Sequence, residues 1–264
     1  VIPQSAEEVK NIVALCKEAD MPYYILGNGS NLLVGDKGYR GVIIQIYKEM
    51  NHIRIEDDKV FAQAGALLSR VGTATLEAEL TGFEFAAGIP GTVGGGLFMN
   101  AGAYGGEMKD VLTEITHLTP DFKIETIKAE EAKLSYRHSI YKENGCIILG
   151  GKVKLTPDSQ ESIKEKMDDF LGRRKDKQPL EYPSAGSVFK RPVDNFAGRM
   201  VEMVGLKGFA IGGAQVSEKH AGFIINIGGA TADDVNALIL YIKEKILEIF
   251  GCELECEMIY VKNG

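Results

Sequence analysis

No stretch of this chain approaches the roughly twenty consecutive apolar residues that a membrane-crossing helix requires, and none reads as a signal peptide. Cysteine is scarce and poorly spaced for a metal. Cys16, Cys146, Cys252 and Cys256 include a single close pair, and a lone Cys-x-x-x-Cys is no zinc site. Positive charge is in deficit, with 30 Lys and Arg against 37 Asp and Glu and a formal net charge of −7. A general nucleic-acid binder needs a basic surface for phosphates, so that class is excluded. Internal repeats and low-complexity segments are missing too. What is left is a globular protein with reduced thiols, expected in the cytoplasm, with no nucleic acid, membrane or required protein partner in view. At 264 residues and 45% hydrophobic composition, the chain can build one large core or two small ones.

Glycine, by contrast, is concentrated. In Gly88-Ile-Pro-Gly-Thr-Val-Gly-Gly-Gly-Leu-Phe-Met-Asn-Ala-Gly-Ala-Tyr-Gly105, nine of eighteen residues are glycine or alanine. Such a backbone can take positive φ and lie directly against a flat, diphosphate-bearing cofactor. Ile89, Val93, Leu97, Phe98 and Met99 can pin the run to a core, so it is no flexible linker. The plainer alternative is a glycine-rich turn followed by a tightly packed strand.

A second loop precedes it. Tyr23-Tyr-Ile-Leu26 reads as a buried strand, and Gly27-Asn-Gly-Ser-Asn31 follows at once. Gly27 and Gly29 can open a nest of N–H groups toward phosphate oxygens, with Asn28, Ser30 and Asn31 adding side-chain donors. This is no dinucleotide fingerprint, because Leu32 stands where a sixth-position glycine belongs and Leu32-Leu-Val34 reads as more strand. A polar hairpin turn is the alternative reading, since Asn-Gly is a strong turn signal.

Elsewhere the periodicities alternate between helix and strand. Ser5-Ala-Glu-Glu8 reads as a capping box ahead of Val9, Ile12, Val13 and Cys16 on one helical face. Strands are expected at 42–46, 59–64, 111–119, 123–128 and 146–155, and a helix at 67–80. A charged helix is expected from Thr156-Pro-Asp-Ser159 to near Arg174, and a short one at 195–204. A strand at 223–227 and a long helix opened by Thr231-Ala-Asp-Asp234 follow, the helix with Val235, Leu238, Ile239, Ile242, Ile246 and Ile249 as its apolar stripe. Residues 252–261 read as a last strand. The pattern predicts α+β in two domains, 1–155 and 156–264.

The two loops together, Leu26-Gly-Asn-Gly-Ser-Asn-Leu-Leu-Val34 and then Gly-Ile-Pro-Gly-Thr-Val-Gly-Gly from Gly88, resemble the flavin-binding half of the UDP-N-acetylenolpyruvoylglucosamine reductases. The similarity continues in order through Ser135-Tyr-Arg-His-Ser139, Pro183-Ser-Ala-Gly-Ser-Val-Phe-Lys-Arg-Pro192, Gly205-Leu-Lys-Gly208, Gln215-Val-Ser-Glu-Lys-His-Ala-Gly-Phe223 and Leu254-Glu-Cys-Glu257. It implies an FAD-binding domain of the p-cresol methylhydroxylase/vanillyl-alcohol oxidase type, then a smaller α+β substrate-binding domain whose last strand returns to the flavin site. An earlier stretch with a Gly-Gly pair belongs to that flavin domain, so the resemblance implies residues preceding Val1. The lack of a longer tyrosine-bearing insertion in the second half suggests the shorter, type II form.

The reaction so implied is reduction of UDP-N-acetylglucosamine enolpyruvate to UDP-N-acetylmuramate for peptidoglycan, with bound FAD and with NADPH as hydride donor. It needs a cation on the substrate carboxylate and an acid for the carbon that becomes negative. Arg137 matches the family's carboxylate-holding arginine, a group that grips both oxygens at once. Ser187 matches the proposed proton donor, and Glu257 the glutamate that works with the arginine on the enol intermediate. Met258 and Ile259 depart from the small aliphatic residue and arginine usual after that glutamate. Cofactor contacts are expected from Gly27, Asn28, Gly29, Ser30 and Asn31, and from Gly88, Ile89, Pro90, Gly91, Val93, Gly94, Gly95, Asn100, Ala101, Gly102 and Ala103. For the UDP part, Lys177 and Lys190 rank ahead of Arg199, Lys207 and His220.

Without the resemblance each residue has a plainer role: Arg137 in a surface salt bridge, Ser187 in a turn, Glu257 in an acidic strip with Glu253 and Glu255. Two other classes compete, an oxidase or dehydrogenase of the same fold acting on a sugar or hydroxy acid, and a non-catalytic flavin-binding module. A serine hydrolase is disfavoured, because Phe189 stands where the nucleophile elbow requires glycine.

Overall fold

The computed structural model describes residues 1–262; the last two residues of the expected second domain, 263 and 264, lie outside the described residues. The chain divides into two compact units, Val1–Gly29 with Gly41–Gly172, and Ser30–Arg40 with Arg173–Gly264. The first unit is built on a five-stranded antiparallel sheet in the order Ile124–Lys128, Leu112–Leu118, Ile147–Lys154, Lys59–Gln63, Ile53–Glu56. A parallel pair, Tyr23–Leu26 with Val42–Gln45, lies beside the helix Ala6–Glu18 in the chain. Ser5 caps that helix by accepting from the Glu8 N–H, and its Val9 and Val13 are buried in the same core as Ile44 and Leu97. The Glu8 carboxylate returns to the Gln4 N–H, one residue before the reciprocal partner that a capping box would use.

The second unit holds a four-stranded antiparallel sheet, Ser184–Ser187, Phe223–Asn226, Ala214–Val216, Ala210–Ile211. The helix Ala232–Phe250 covers it, capped by Thr231 and Asp234 in a reciprocal box and closed by Gly251 at φ 61°. Leu238, Ile239, Ile242 and Ile246 of the expected stripe are buried, each contributing about 1.5–3 kcal/mol of burial free energy. Ile249, expected on the same stripe, is exposed.

The division falls elsewhere than the expected 155/156. Ile163 and Met167, on the charged helix Gln160–Lys177, pack with Ala87 in a small apolar cluster of the first unit, which keeps most of that helix there. The early segment Ser30–Arg40 joins the second unit because Leu32–Val34 pairs in parallel with Ile259–Val261. The last strand is therefore shorter than 252–261. Cys252–Met258 run without a ladder apart from an isolated bridge between Phe189 and Cys256. No helix among the described residues is long and apolar enough to cross a membrane. All four cysteines are free, Cys16 buried and the other three half-buried.

Candidate functional site

The glycine-rich run folds as a helix where the plainer reading expected a strand. Thr92, 2% exposed, caps Val93–Phe98 by accepting from the Gly95 N–H at 3.3 Å. Val93 and Gly94 donate their N–H groups to the carbonyls of Ala66 and Ala64, each at 2.8 Å. Three N–H groups of this helix start are thus spent inside the protein, so the helix terminus is not the anion site that such a terminus can provide. Val93 itself points into the core, and a Cβ on Gly94 would meet the Ala64 Cβ at 3.0 Å. At Val93, Gly94 and Gly95, expected as cofactor contacts, the geometry serves packing and capping.

The nest falls on the earlier loop. Asn28 and Gly29 are exposed, Gly29 takes φ 73°, and neither N–H donates to an acceptor among the described residues. Two contacts bind this loop to the glycine-rich one. Asn28 Nδ2 donates to the Pro90 carbonyl at 2.6 Å, and a Cβ on Gly27 would stand 2.5 Å from Thr92 Oγ1. Glycine at 27 is thus required by Thr92, a residue that reasoning from sequence passed over. A pair of bare loops fixed edge to edge, with outward N–H groups on one of them, fits the diphosphate of a flavin dinucleotide. Ser30 and Asn31 continue the loop in the second unit, where Asn31 Nδ2 donates to the Glu257 carbonyl at 3.2 Å and the Asn31 carbonyl accepts from Ile259 at 3.0 Å.

Asn100, expected at the cofactor, has its side chain engaged within the protein. It is fully buried at φ 43°, and its Nδ2 donates to Glu107 Oε2 at 2.7 Å and to the Ser135 carbonyl at 3.0 Å, while Oδ1 accepts from the Lys109 N–H at 2.9 Å. Both amide hydrogens are used, so the side chain has no donor for a cofactor. Ala101 is part of the core boundary, and a Cβ on Gly102 would lie 2.7 Å from the Gly106 carbonyl in the short hairpin Gly102–Glu107.

Arg137 sits at φ 53° in a two-residue turn closed by reciprocal main-chain bonds between Ser135 and His138, at 3.1 and 3.0 Å. Its Nη2 donates to the Gly102 carbonyl at 3.2 Å, and its guanidinium lies 4.9 Å from the Tyr136 ring centroid. Two of its contacts are thus a carbonyl and an aromatic face.

The segments that carry Ser187 and Glu257 are joined within the second unit. The segment after Ser187 runs antiparallel to residues 255–257, with Glu257 donating to the Val188 carbonyl and Lys190 to the Glu255 carbonyl, both at 2.8 Å. Val188 and Phe189 are buried beneath. Among the described residues, Ser187 Oγ reaches only the Phe189 carbonyl, at 3.4 Å. Glu257 is half-buried where Glu253 and Glu255 are exposed, which separates it from an acidic strip.

Among the expected UDP contacts, the Lys190 ammonium pairs with Glu255 and Lys207 pairs with Glu202 at 2.7 Å. Lys177 is exposed at the end of its helix. His220 Nδ1 accepts from the Gly222 N–H at 3.1 Å, and burial holds its pKa below the usual 6.5.

A flavin-dinucleotide domain profile, described as FAD binding domain, matches residues 1–128, and the profile of the UDP-N-acetylenolpyruvoylglucosamine reductase C-terminal domain matches residues 178–261. A reductase of that name from Syntrophomonas wolfei is 50% identical over 98% of this chain and 86% of its own length. One from Caldanaerobacter subterraneus is 49% identical over 97% of this chain and 85% of its own. The crystal structure of the reductase from Thermus caldophilus superposes with a TM-score of 0.82 at 33% identity, covering 98% of this chain and 91% of that one. With loops, turn and paired strands in place over nearly its whole length, this chain belongs to the UDP-N-acetylenolpyruvoylglucosamine reductase family.

Proposed function

We propose that this FAD-dependent oxidoreductase reduces UDP-N-acetylglucosamine enolpyruvate to UDP-N-acetylmuramate in the cytoplasm, with NADPH as the source of hydride. When bound, FAD supplies that hydride to the terminal carbon of the enol ether double bond. The chain's own residues handle the charge that results. The Arg137 guanidinium takes the substrate carboxylate into which the negative charge spreads, a pairing that gains strength as charge develops. Ser187 Oγ–H delivers a proton to the neighbouring carbon and recovers one from solvent. Glu257 stabilises the enol. Lys177 and Lys190 take the diphosphate, Lys190 by exchanging Glu255 for it.

The observation that supports this most is the antiparallel join of the segments that carry Ser187 and Glu257 in the second unit. Ser187 and Glu257, each within its family motif, speak against an oxidase or dehydrogenase of the same fold. The test is anaerobic and optical. Purified protein loaded with FAD should bleach with NADPH and recover its colour only when UDP-N-acetylglucosamine enolpyruvate is added. Flavin that bleaches and then ignores the enol ether overturns the substrate; protein that takes up no FAD overturns the proposal entirely.

A further inference from the structure

We propose that Asn100 and Ser139 are positioning residues for Arg137, holding the angle at which the Tyr136–Arg137 turn presents its guanidinium. The inference rests on the carboxylate role proposed for Arg137 and adds the device that aims it. Arg137 occupies a left-handed conformation that non-glycine residues adopt at some cost, so the turn has to be held from outside.

Two fully buried side chains do the holding. On one flank the Asn100 amide donates to the Ser135 carbonyl at 3.0 Å. On the other, Ser139 Oγ donates to the Phe98 carbonyl at 2.7 Å. Both are 0% exposed. The two bonds attach the turn at its start and its end to the same short stretch, Phe98 to Asn100, at the end of the glycine-rich helix. A third contact, Arg137 Nη2 to the Gly102 carbonyl, fixes the guanidinium itself two residues further along.

Asn100 is in turn prevented from rotating. Its other amide hydrogen meets Glu107 Oε2, its Oδ1 takes the Lys109 N–H, and the Lys109 ammonium pairs with the same Glu107 carboxylate. A buried amide with three partners on two segments has one rotamer, and the Ser135 carbonyl inherits that definition. The cofactor loop and the substrate-binding arginine are thereby one rigid piece: the backbone that flanks the glycine-rich run also sets the direction of the cation.

A double-mutant cycle tests this. Asn100→Gly keeps the positive φ accessible and removes the amide; Ser139→Ala removes the hydroxyl. Each is made in the wild type and in Arg137→Ala, and kcat/KM for the enolpyruvyl substrate is read beside the rate of flavin reduction by NADPH. Either variant should lower kcat/KM by about 10- to 100-fold in the wild type, the size expected for a misplaced group. In the Arg137→Ala background the same change should cost less than about twofold, because nothing is left to aim.

Equal losses in the two backgrounds, or equal slowing of flavin reduction, overturn the proposal in favour of a merely structural role. Ser139→Ala carries the test if Asn100→Gly does not fold. If Arg137→Ala itself leaves kcat/KM unchanged, the carboxylate role of Arg137 is what fails.

Discussion

The two units hold their chemistry by opposite means. In the first, Arg137 is aimed by side chains: an amide, a hydroxyl and its own guanidinium, each on a main-chain carbonyl. In the second, the Ser187 and Glu257 segments are joined mainly by main chain, through the Glu257 N–H on Val188 and the Val188 N–H on the Gly222 carbonyl, with the Asn31 amide on the Glu257 carbonyl and with Val188, Phe189 and Leu254 buried beneath. A site held by side chains loses its aim when any one of them is changed. A site held by backbone pairing tolerates substitution of the exposed side chains and depends on the apolar anchors.

The largest effect that sharpens this contrast comes from Ser187→Ala. Among the described residues the Oγ has only a long contact to the Phe189 carbonyl, so its removal disturbs chemistry and not placement. Reoxidation of reduced flavin by the enolpyruvyl substrate should slow by about 10²- to 10⁴-fold, the range for a lost general acid. Flavin reduction by NADPH and the melting temperature should hardly move. A clear fall in melting temperature would show that the serine side chain, and not the backbone, maintains the second unit's site.

Next in size is Gly27→Ala, a probe of the first unit. The new Cβ would sit 2.5 Å from Thr92 Oγ1, and Thr92 cannot retreat without giving up its cap on Gly95. Separating the two loops by that much costs about 1–3 kcal/mol, the range for overpacking. The readout is the dissociation constant for FAD by flavin fluorescence, expected to weaken by about 5- to 150-fold if the whole of that cost falls on the bound form. Unchanged affinity would mean that the loops are not the cradle.

Much of this was legible in the residues alone. Thr231 with Asp234, and the spacing of Leu238, Ile242 and Ile246, announce their helix because cap and stripe are local properties. The strands at 42–46, 59–64 and 146–155 were readable for the same reason. Failures came where a distant partner decides. Nothing near Leu32 says that it will pair with Ile259, which moves residues 30–40 into the second unit. Nothing near Asn100 reveals that Glu107 and Ser135 will consume its amide. Thr92 was invisible because its importance lies in what it forbids at Gly27, sixty-five residues away. Ile249 follows the helical period faithfully and is still exposed, since the period gives a direction and not the presence of a neighbour.

The smallest expected effect separates the units by pH. His117, in the first, is 4% exposed and has its Nδ1 2.8 Å from Tyr141 Oη; His220, in the second, accepts from the Gly222 N–H. Burial lowers both pKa values below 6.5. Below about pH 6.5 the unfolded chain therefore binds more protons than the folded one. Stability present at pH 7 is lost as the pH falls from there, by at most about 1.4 kcal/mol per pH unit for each histidine. The consequences differ. A protonated His117 keeps its bond, because the Tyr141 hydroxyl can turn and accept. A protonated His220 becomes a donor on both nitrogens and must release Gly222, whose carbonyl carries Val188 beside Ser187. Thermal melts between pH 7.5 and 5.5 should thus flatten on the acid side for both His117→Asn and His220→Asn. The acid fall in reoxidation rate should shrink for His220→Asn alone, and an equal change in the two variants would dissolve the distinction between the units.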